Sequence, residues 1–190
     1  QIAQVDLTDR EQLATYLETQ ATTKQTLRGI FHLAGALDDG LMMQQSWARF
    51  EHVMAAKAEG AWNLHQLSRV YAPKLEQFVL YSSSSALLGT VGQANYAAAN
   101  AFLDGLAAYR QQQGLPCLAI NWGSWGEVGM TARLQLEQQL AQSGEGTIPL
   151  AKGMEWLAKL IGAVDSLPAS IAVLPTQWAR YLAQQATVPP

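Results

Sequence analysis

With 190 residues, 49% of them hydrophobic, the chain can bury the core of one globular domain. Its 12 Lys and Arg against 15 Asp and Glu leave a net charge of -3, with no basic run, so charge gives no reason to expect nucleic acid or an anionic membrane as partner. No stretch of about 18 apolar residues offers a membrane span and no signal peptide opens the sequence, so the cytoplasm is the expected compartment.

Ile2 to Asp6 reads as the tail of a strand. Thr8 then begins a helix, with Thr8 and Glu11 at capping-box spacing and Leu13 and Leu17 on one face. Gly29 to Gly35 is a short apolar strand feeding a tight turn, and Leu37-Asp38-Asp39-Gly40 follows as a loop. Trp47 to Arg69 carries apolar residues at helical intervals, with Gly60 a weak point in one unbroken helix. Trp47, Trp62 and Trp156 sit at helical positions and are expected in the core.

Gln77 to Tyr81 is a strand without alternation, as a parallel sheet under helices requires, and the serines from Ser82 to Ser85 are expected to end it. A helix runs over 94–112 and stops near Gly114 and Pro116. The next strand is Cys117 to Gly123; Cys117, the only cysteine, excludes an internal disulfide and a cysteine-based zinc site and reads as a buried small residue. Thr131 to Ser143 looks helical and polar-rich, and Pro149 starts a helix that runs to about Ile161. Ser170 to Leu174 is a last strand and Trp178 to Gln184 a last short helix. The alternation gives a three-layer α/β fold with a parallel sheet. It is N-terminally incomplete in this reading, because no G-x-G-x-x-G turn follows an early strand.

Tyr96 and Asn100 lie one turn apart on the same face of the 94–112 helix, Ser83 lies just past the preceding strand, and Lys57 sits on the helix before that. These are the groups that carbonyl reduction needs. When hydride reaches a carbonyl carbon, charge develops on oxygen, and a donor must stabilise it and then deliver a proton. Tyr96 is the candidate acid; a nearby Lys57 ammonium would favour its phenolate, Ser83 would donate a second hydrogen bond, and Asn100 would hold Lys57 or a water. By spacing alone, a chance Tyr–Asn pair, a strand-ending serine and a surface lysine explain the same residues. His32, His52 and His65 share no metal-ligand spacing, and no metal is assigned.

The run from Gly92 to Asp104 resembles the active-site helix of modular polyketide synthase ketoreductases. These are short-chain dehydrogenase/reductase domains with relatives in animal-type fatty acid synthases. Phe31-His32-Leu33-Ala34-Gly35 is similar to their strand-four turn, Leu37-Asp38-Asp39-Gly40 to the motif after it, Phe78 to Ser83 to their serine strand, and Asn121-Trp122-Gly123 with Gly129-Met130 to the segment before the substrate lid, here at about 126–148. Ser83 precedes Tyr96 by 13 positions, the separation of the family's catalytic pair. The resemblance assigns Lys57 and Asn100 to the other two catalytic positions, exchanged relative to free-standing short-chain dehydrogenases.

Further roles are implied by the resemblance alone. The cofactor would be NADPH, with Asp6 and Leu7 towards the adenine, Ala34, Gly35 and Ala36 along the ribose, and Trp122 and Gly123 beside the nicotinamide, joined by Lys57 and Tyr96. Leu37, Asp38, Asp39, Leu88 (where the other orientation class carries tryptophan), Gln93 and Trp125 would orient the substrate. They imply B-type entry and a D-configured β-hydroxy product. Ala98, where epimerising relatives carry proline, implies no epimerisation. The implied partners are an acyl carrier protein bearing a phosphopantetheine-linked β-keto substrate, the N-terminal structural half of the ketoreductase, and other synthase domains. The chain would be the C-terminal part of the catalytic subdomain, inactive and poorly stable by itself. A catalytically silent ketoreductase-like scaffold and a stand-alone dehydrogenase for free ketones are the alternatives.

Overall fold

The computed structural model describes residues 2–23, 26–128, 140 and 143–183. Its described strands form one sheet in the order β1 (Gly29–His32), β2 (Gln77–Ser83), β3 (Leu118–Trp122), β4 (Ser170–Val173). β1 and β2 are parallel, with Ile30 opposite Phe78 and His32 opposite Leu80. The Ala119 amide donates to Ala169 O and the Gly123 amide to Val173 O, so the register of β3 and β4 advances in the same sense. The expected parallel α/β class holds. By residue contacts the chain divides into a unit of Gln1–Asn121 with Val164–Ile171, and a second of Trp122–Ala163 with Ala172–Pro190.

In the first unit the helices are α1 (Arg10–Ala21), α2 (Trp47–Met54), α3 (Gly60–Tyr71), the short α4 (Ser85–Leu88) and α5 (Ala94–Gln112). Leu13 and Leu17 of α1, Ala61, Leu64 and Leu67 of α3, and Leu103, Leu106 and Ala107 of α5 share one core with Ile30, Phe78, Leu80 and Ala119 of the strands. Val79, Leu118 and Ile120, on the opposite sheet face, are also buried, which is why β2 and β3 show no polar alternation. In the second unit Pro149 stands at the N-cap of α6 (Leu150–Gly162), followed by the short α7 (Trp178–Ala183). Trp125 and Ile148 pair as an isolated bridge there.

Several expectations are corrected. Ile2 to Asp6 has no ladder partner among the described residues and is not a strand. Helix α1 is capped by Asp9, whose Oδ1 accepts from the Glu11 and Gln12 amides; Thr8 is not the cap because its hydroxyl and amide donate to Asp6. Ser82 and Ser83 continue β2, and Ser85 opens α4. The break near Gly60 is a single π-helical turn over Ala55–Glu59. Gly60 itself is explained by packing, since a Cβ there would lie 3.1 Å from Leu7 Cβ. Trp47, Trp62 and Trp156 are not core residues, with exposures of 77%, 36% and 47%. The buried stripes of α3 and α6 run through Ala61 and Leu64, and through Leu157 and Leu160, one residue away from each indole. Most of the helix expected at 131–143 and most of the lid region lie outside the described residues, as do Gly129 and Met130.

Two buried histidines tie neighbouring elements together, His32 the sheet to the π-helical turn and His65 α3 to α5. His32 Nε2 lies 3.1 Å from Lys57 O. His65 Nδ1 lies 3.0 Å from an Arg110 Nη1 that can only donate, so this nitrogen is an unprotonated acceptor. Burial holds both rings at a pKa of about 4, with Arg110 adding to the effect at His65. Burial also pushes the Cys117 thiol up to about 12, which makes it inert near neutral pH. The histidines' folded-state pKa values lie below the unfolded value of 6.5, so their contribution is complete above pH 6.5 and is lost as pH falls towards 4. Urea unfolding should therefore show a midpoint that drops between pH 7.5 and pH 5, and a smaller drop in His65→Gln. Equal drops in the two proteins would contradict this account.

Candidate active site

Helix α5 begins with Tyr96 in its first turn, and its fully buried neighbour Asn95 sets that turn. Asn95 Oδ1 accepts from the Tyr96 amide at 2.8 Å, satisfying one of the amides that a helix start leaves unpaired. Asn95 Nδ2 donates to Asp38 O at 2.8 Å, tying the helix start to the loop after β1. Asn100, one turn on, donates from Nδ2 to Tyr96 O at 2.8 Å, while its buried Oδ1 has no hydrogen-bond partner. The Tyr96 ring is buried beside Val53 and Ala99, with Leu37 packed against that cluster.

Lys57 reaches the same place from the π-helical turn, a local widening that commonly marks functional positions in helices. Its side chain is 3% exposed. Lys57 Nζ donates to Tyr81 O at 2.9 Å and stands 5.5 Å from the centre of the Tyr96 ring. A Cβ on Gly35 would come within 3.1 Å of Lys57 Cε, so the absence of a side chain at Gly35 makes room for the lysine. Burial lowers the Lys57 pKa to about 8, against an opposing pull from the Asp104 carboxylate. Burial raises the Tyr96 phenol, and the Asn100 and Ser83 side chains pull it back down. Ser83 Oγ also accepts from the Ser85 amide at 3.2 Å. The structure thus brings Tyr96, Ser83, Lys57 and Asn100 together.

Three supporting residues were not singled out from sequence. Asp104 extends the Tyr96–Asn100 spacing by one more turn, and continuing that interval would have pointed to it. Asn121 Nδ2 on β3 donates to Asp104 Oδ2 at 2.8 Å and to Ser82 Oγ at 3.0 Å, and Ser82 Oγ donates to Asn100 O. This network joins β2, β3 and α5 beneath the serine and tyrosine. Asn95 is the third, legible only as a polar residue at a buried helical position.

The remaining expected residues are placed as follows. Asp38 pairs with Arg49, and Asp39 Oδ2 accepts from Gln93 Nε2 at 2.9 Å, so both carboxylates bind side chains. Leu88 ends α4 and is 39% exposed. Ala34 to Ala36 form an open, side-chain-poor segment next to Lys57. Asp6 is exposed, with Oδ1 bound by Thr8, and Leu7 packs against the core. Trp122, Gly123 and Trp125 belong to the second unit. There the Trp122 and Trp125 ring centres lie 4.9 Å apart, and Trp125 covers Gly153, where a Cβ would lie 2.2 Å from the indole.

The family model described as "KR domain" matches residues 1–127. The chain belongs to the KR domain family. Among curated relatives of this KR domain, polyketide synthase GfsE of Streptomyces halstedii is 41% identical over 152 residues, covering 80% of this chain and 4% of that protein. The spectinabilin polyketide synthase system protein NorB of Streptomyces orinoci is 46% identical over 130 residues, 68% of this chain and 6% of that one. Among solved structures, A-type ketoreductases from a modular polyketide synthase superpose with a TM-score of 0.90 at 32% identity, over all of this chain and 39% of theirs. The PlmKR1 ketoreductase from the first module of phoslactomycin biosynthesis in Streptomyces sp. HK803 gives 0.89 at 32%, over 99% and 42%. The chain thus spans a small part of its curated relatives and about two-fifths of the solved ketoreductases. The Rossmann-like fold of the KR domain implies a nicotinamide cofactor, and no described helix of this chain is long and apolar enough to cross a membrane.

Because burial outweighs the pull of Asp104, the Lys57 ammonium should lose its proton near pH 8 rather than at the ordinary 10.5. The carbon-13 shift of Lys57 Cε, followed against pH, should show that midpoint, and Asp104→Asn should move it lower. A midpoint at 10 or above would refute the electrostatic picture.

Proposed function

We propose that this chain supplies the acid–base and substrate-orienting groups for NADPH-dependent reduction of a β-ketoacyl thioester, carried on an acyl carrier protein, to a D-β-hydroxyacyl thioester during polyketide elongation. The observation that carries this reading is the convergence of Tyr96, Ser83, Asn100 and the buried Lys57 at the start of α5. A ketoreductase-like scaffold that had lost its chemistry would be expected to have one of these positions damaged, and all four are intact. As partners we propose the acyl carrier protein, the structural half of the ketoreductase and other synthase domains. The support is that the curated relatives are polyketide synthases far longer than the matched segment. The chain then acts as the C-terminal part of a catalytic subdomain.

The residues fit a nicotinamide cofactor. The backbone of Ala34, Gly35 and Ala36 is open beside the Lys57 ammonium, Asp6 offers an exposed carboxylate next to Leu7, and Asn100 presents a buried acceptor with no protein partner. Trp122 and Gly123 are the proposed residues for the nicotinamide end. When bound, NADPH supplies the hydride that adds to the carbonyl carbon. The Tyr96 hydroxyl holds the carbonyl oxygen and gives it a proton as the C–O double bond becomes a single bond; Ser83 donates the second hydrogen bond. The resulting phenolate is stabilised by the Lys57 ammonium over its ring and by Asn100 and Ser83. Proton return to Tyr96 runs through Lys57 and a water held by Asn100.

The same face orients the acyl chain. Leu37, Asp38 and Asp39 form one wall next to Gln93, and Leu88 stands where the other orientation class has tryptophan. This set supports B-type entry, and Ala98 supports retention of the α-centre.

Two measurements test the proposal in the intact ketoreductase domain. Tyr96→Phe should lower kcat by roughly 10²–10⁴-fold while NADPH affinity, read by fluorescence titration, stays close to that of the wild type. Wild-type kcat in a folded Tyr96→Phe protein would refute the role. Chiral chromatography of the product from a carrier-bound β-keto substrate should show predominantly the D-hydroxy thioester. Predominantly L product would overturn the orientation reading and leave the reductase reading standing.

A further inference from the structure

The loop Leu37–Gly40 is held from two sides, and on one of them most of the contacts come from a residue that no motif marks, beside Gln45, whose Nε2 donates to Gly40 O at 2.8 Å. Arg49, in the first turn of α2, lies ten residues beyond Asp39 and is half-buried. Its Nε donates to Asp38 Oδ1 at 2.7 Å, and Nη2 approaches the same oxygen at 2.6 Å. Nη2 also donates to Asp39 O at 2.7 Å, and Nη1 to Gln44 O at 3.1 Å. The guanidinium approaches Gly40 through Nη1: a Cβ there would sit 2.3 Å from Nη1 and 3.0 Å from Cζ, so one of them would have to move. A side chain at Gly40 would therefore displace the guanidinium from its present place.

The opposite side of the loop is held by the start of α5. Asn95 Nδ2 donates to Asp38 O, Gln93 Nε2 to Asp39 Oδ2, and the Gly40 amide to Gly92 O at 2.8 Å. Leu37, at the head of the loop, packs into the cluster that contains Tyr96. A displacement of the loop would thus move the wall beside the proposed proton donor.

We infer that Arg49 is a positioning residue that clamps the Leu37–Gly40 wall against the Tyr96 helix and so fixes which way the acyl chain lies at the carbonyl. A planar fork with several donors can bind one carboxylate and two carbonyls at once; a lysine ammonium has no fixed fork with which to do so. The inference rests on the reductase reading for its effect on product, but the clamp itself is a property of the loop.

The test uses Arg49→Met, Arg49→Lys and Gly40→Ala in the intact ketoreductase domain, with a racemic α-methyl-β-keto N-acetylcysteamine thioester as probe. Each variant should raise KM for the thioester and increase the minor stereoisomer, each by about tenfold, with KM for NADPH nearly unchanged. Arg49→Lys should not rescue. Gly40→Ala should act in the same direction although it keeps the charge, because its methyl displaces the guanidinium. A role limited to stability would lower the melting temperature and leave product composition as in the wild type, and that result overturns the inference. Hydrogen exchange supplies a readout independent of turnover: the Gly40 amide should exchange about tenfold faster in Arg49→Met. Unchanged exchange there also overturns the clamp. Absence of reduction by the wild-type domain would instead strike the reductase reading, with the exchange result still deciding the clamp.

Discussion

A lysine ammonium buried beside a tyrosine ring is the constraint around which the first unit is arranged. Burial disfavours its charge, and the protein offsets that cost with a carbonyl at one end and a carboxylate at longer range. Tyr81 O receives the proton-bearing nitrogen, so β2 must end close to the π-helical turn. A side chain on Gly35 would crowd the lysine stem, with its Cβ 3.1 Å from Lys57 Cε. Burial keeps His32 neutral against the Lys57 carbonyl, and a second buried cation there would depress the ammonium further. A uniform α-helix through 55–59 would aim Lys57 differently, which gives the π turn a reason beyond the glycine that follows it.

The network beneath the site has a complementary task. Asp104, Asn121 and Ser82 bind one another across a helix and two strands, and Ser82 fastens the backbone of Asn100. Removing Asn121 would leave the buried Ser82 Oγ and the half-buried Asp104 Oδ2 short of a donor, a larger penalty than a surface hydrogen bond represents. The hydrogen bonds that aim α5 are thus donated by neutral amides and hydroxyls. The charged pair of Asp104 and Lys57 acts at longer range as mutual compensation. Above it, the Leu37–Gly40 loop is clasped between α2 and α5 by side chains that bind its backbone. A loop otherwise free to move becomes a fixed wall.

What the sequence by itself determined is everything that short-range geometry controls. Helix periodicity put Tyr96 and Asn100 on one face, the unalternated runs at 77–81 and 117–123 marked strands buried on both sides, and the local words around Ser83 and Tyr96 disclosed the family. Where local rules competed, sequence reasoning misplaced details. Thr8 lost the cap to Asp9 because its hydroxyl had a nearer partner. The three tryptophans fall one or more positions off the buried stripe, a rotation of about 100° per residue that apolar character alone does not register. Tertiary structure alone decided which distant groups meet. Asn95 binds a carbonyl 57 residues away, Asn121 a serine 39 residues away, and Lys57 a carbonyl 24 residues away. Arg49 finds the loop because α2 folds back over it. Such pairings have no signature in spacing, because the intervening chain, not the local dihedral preference, sets the distance between partners.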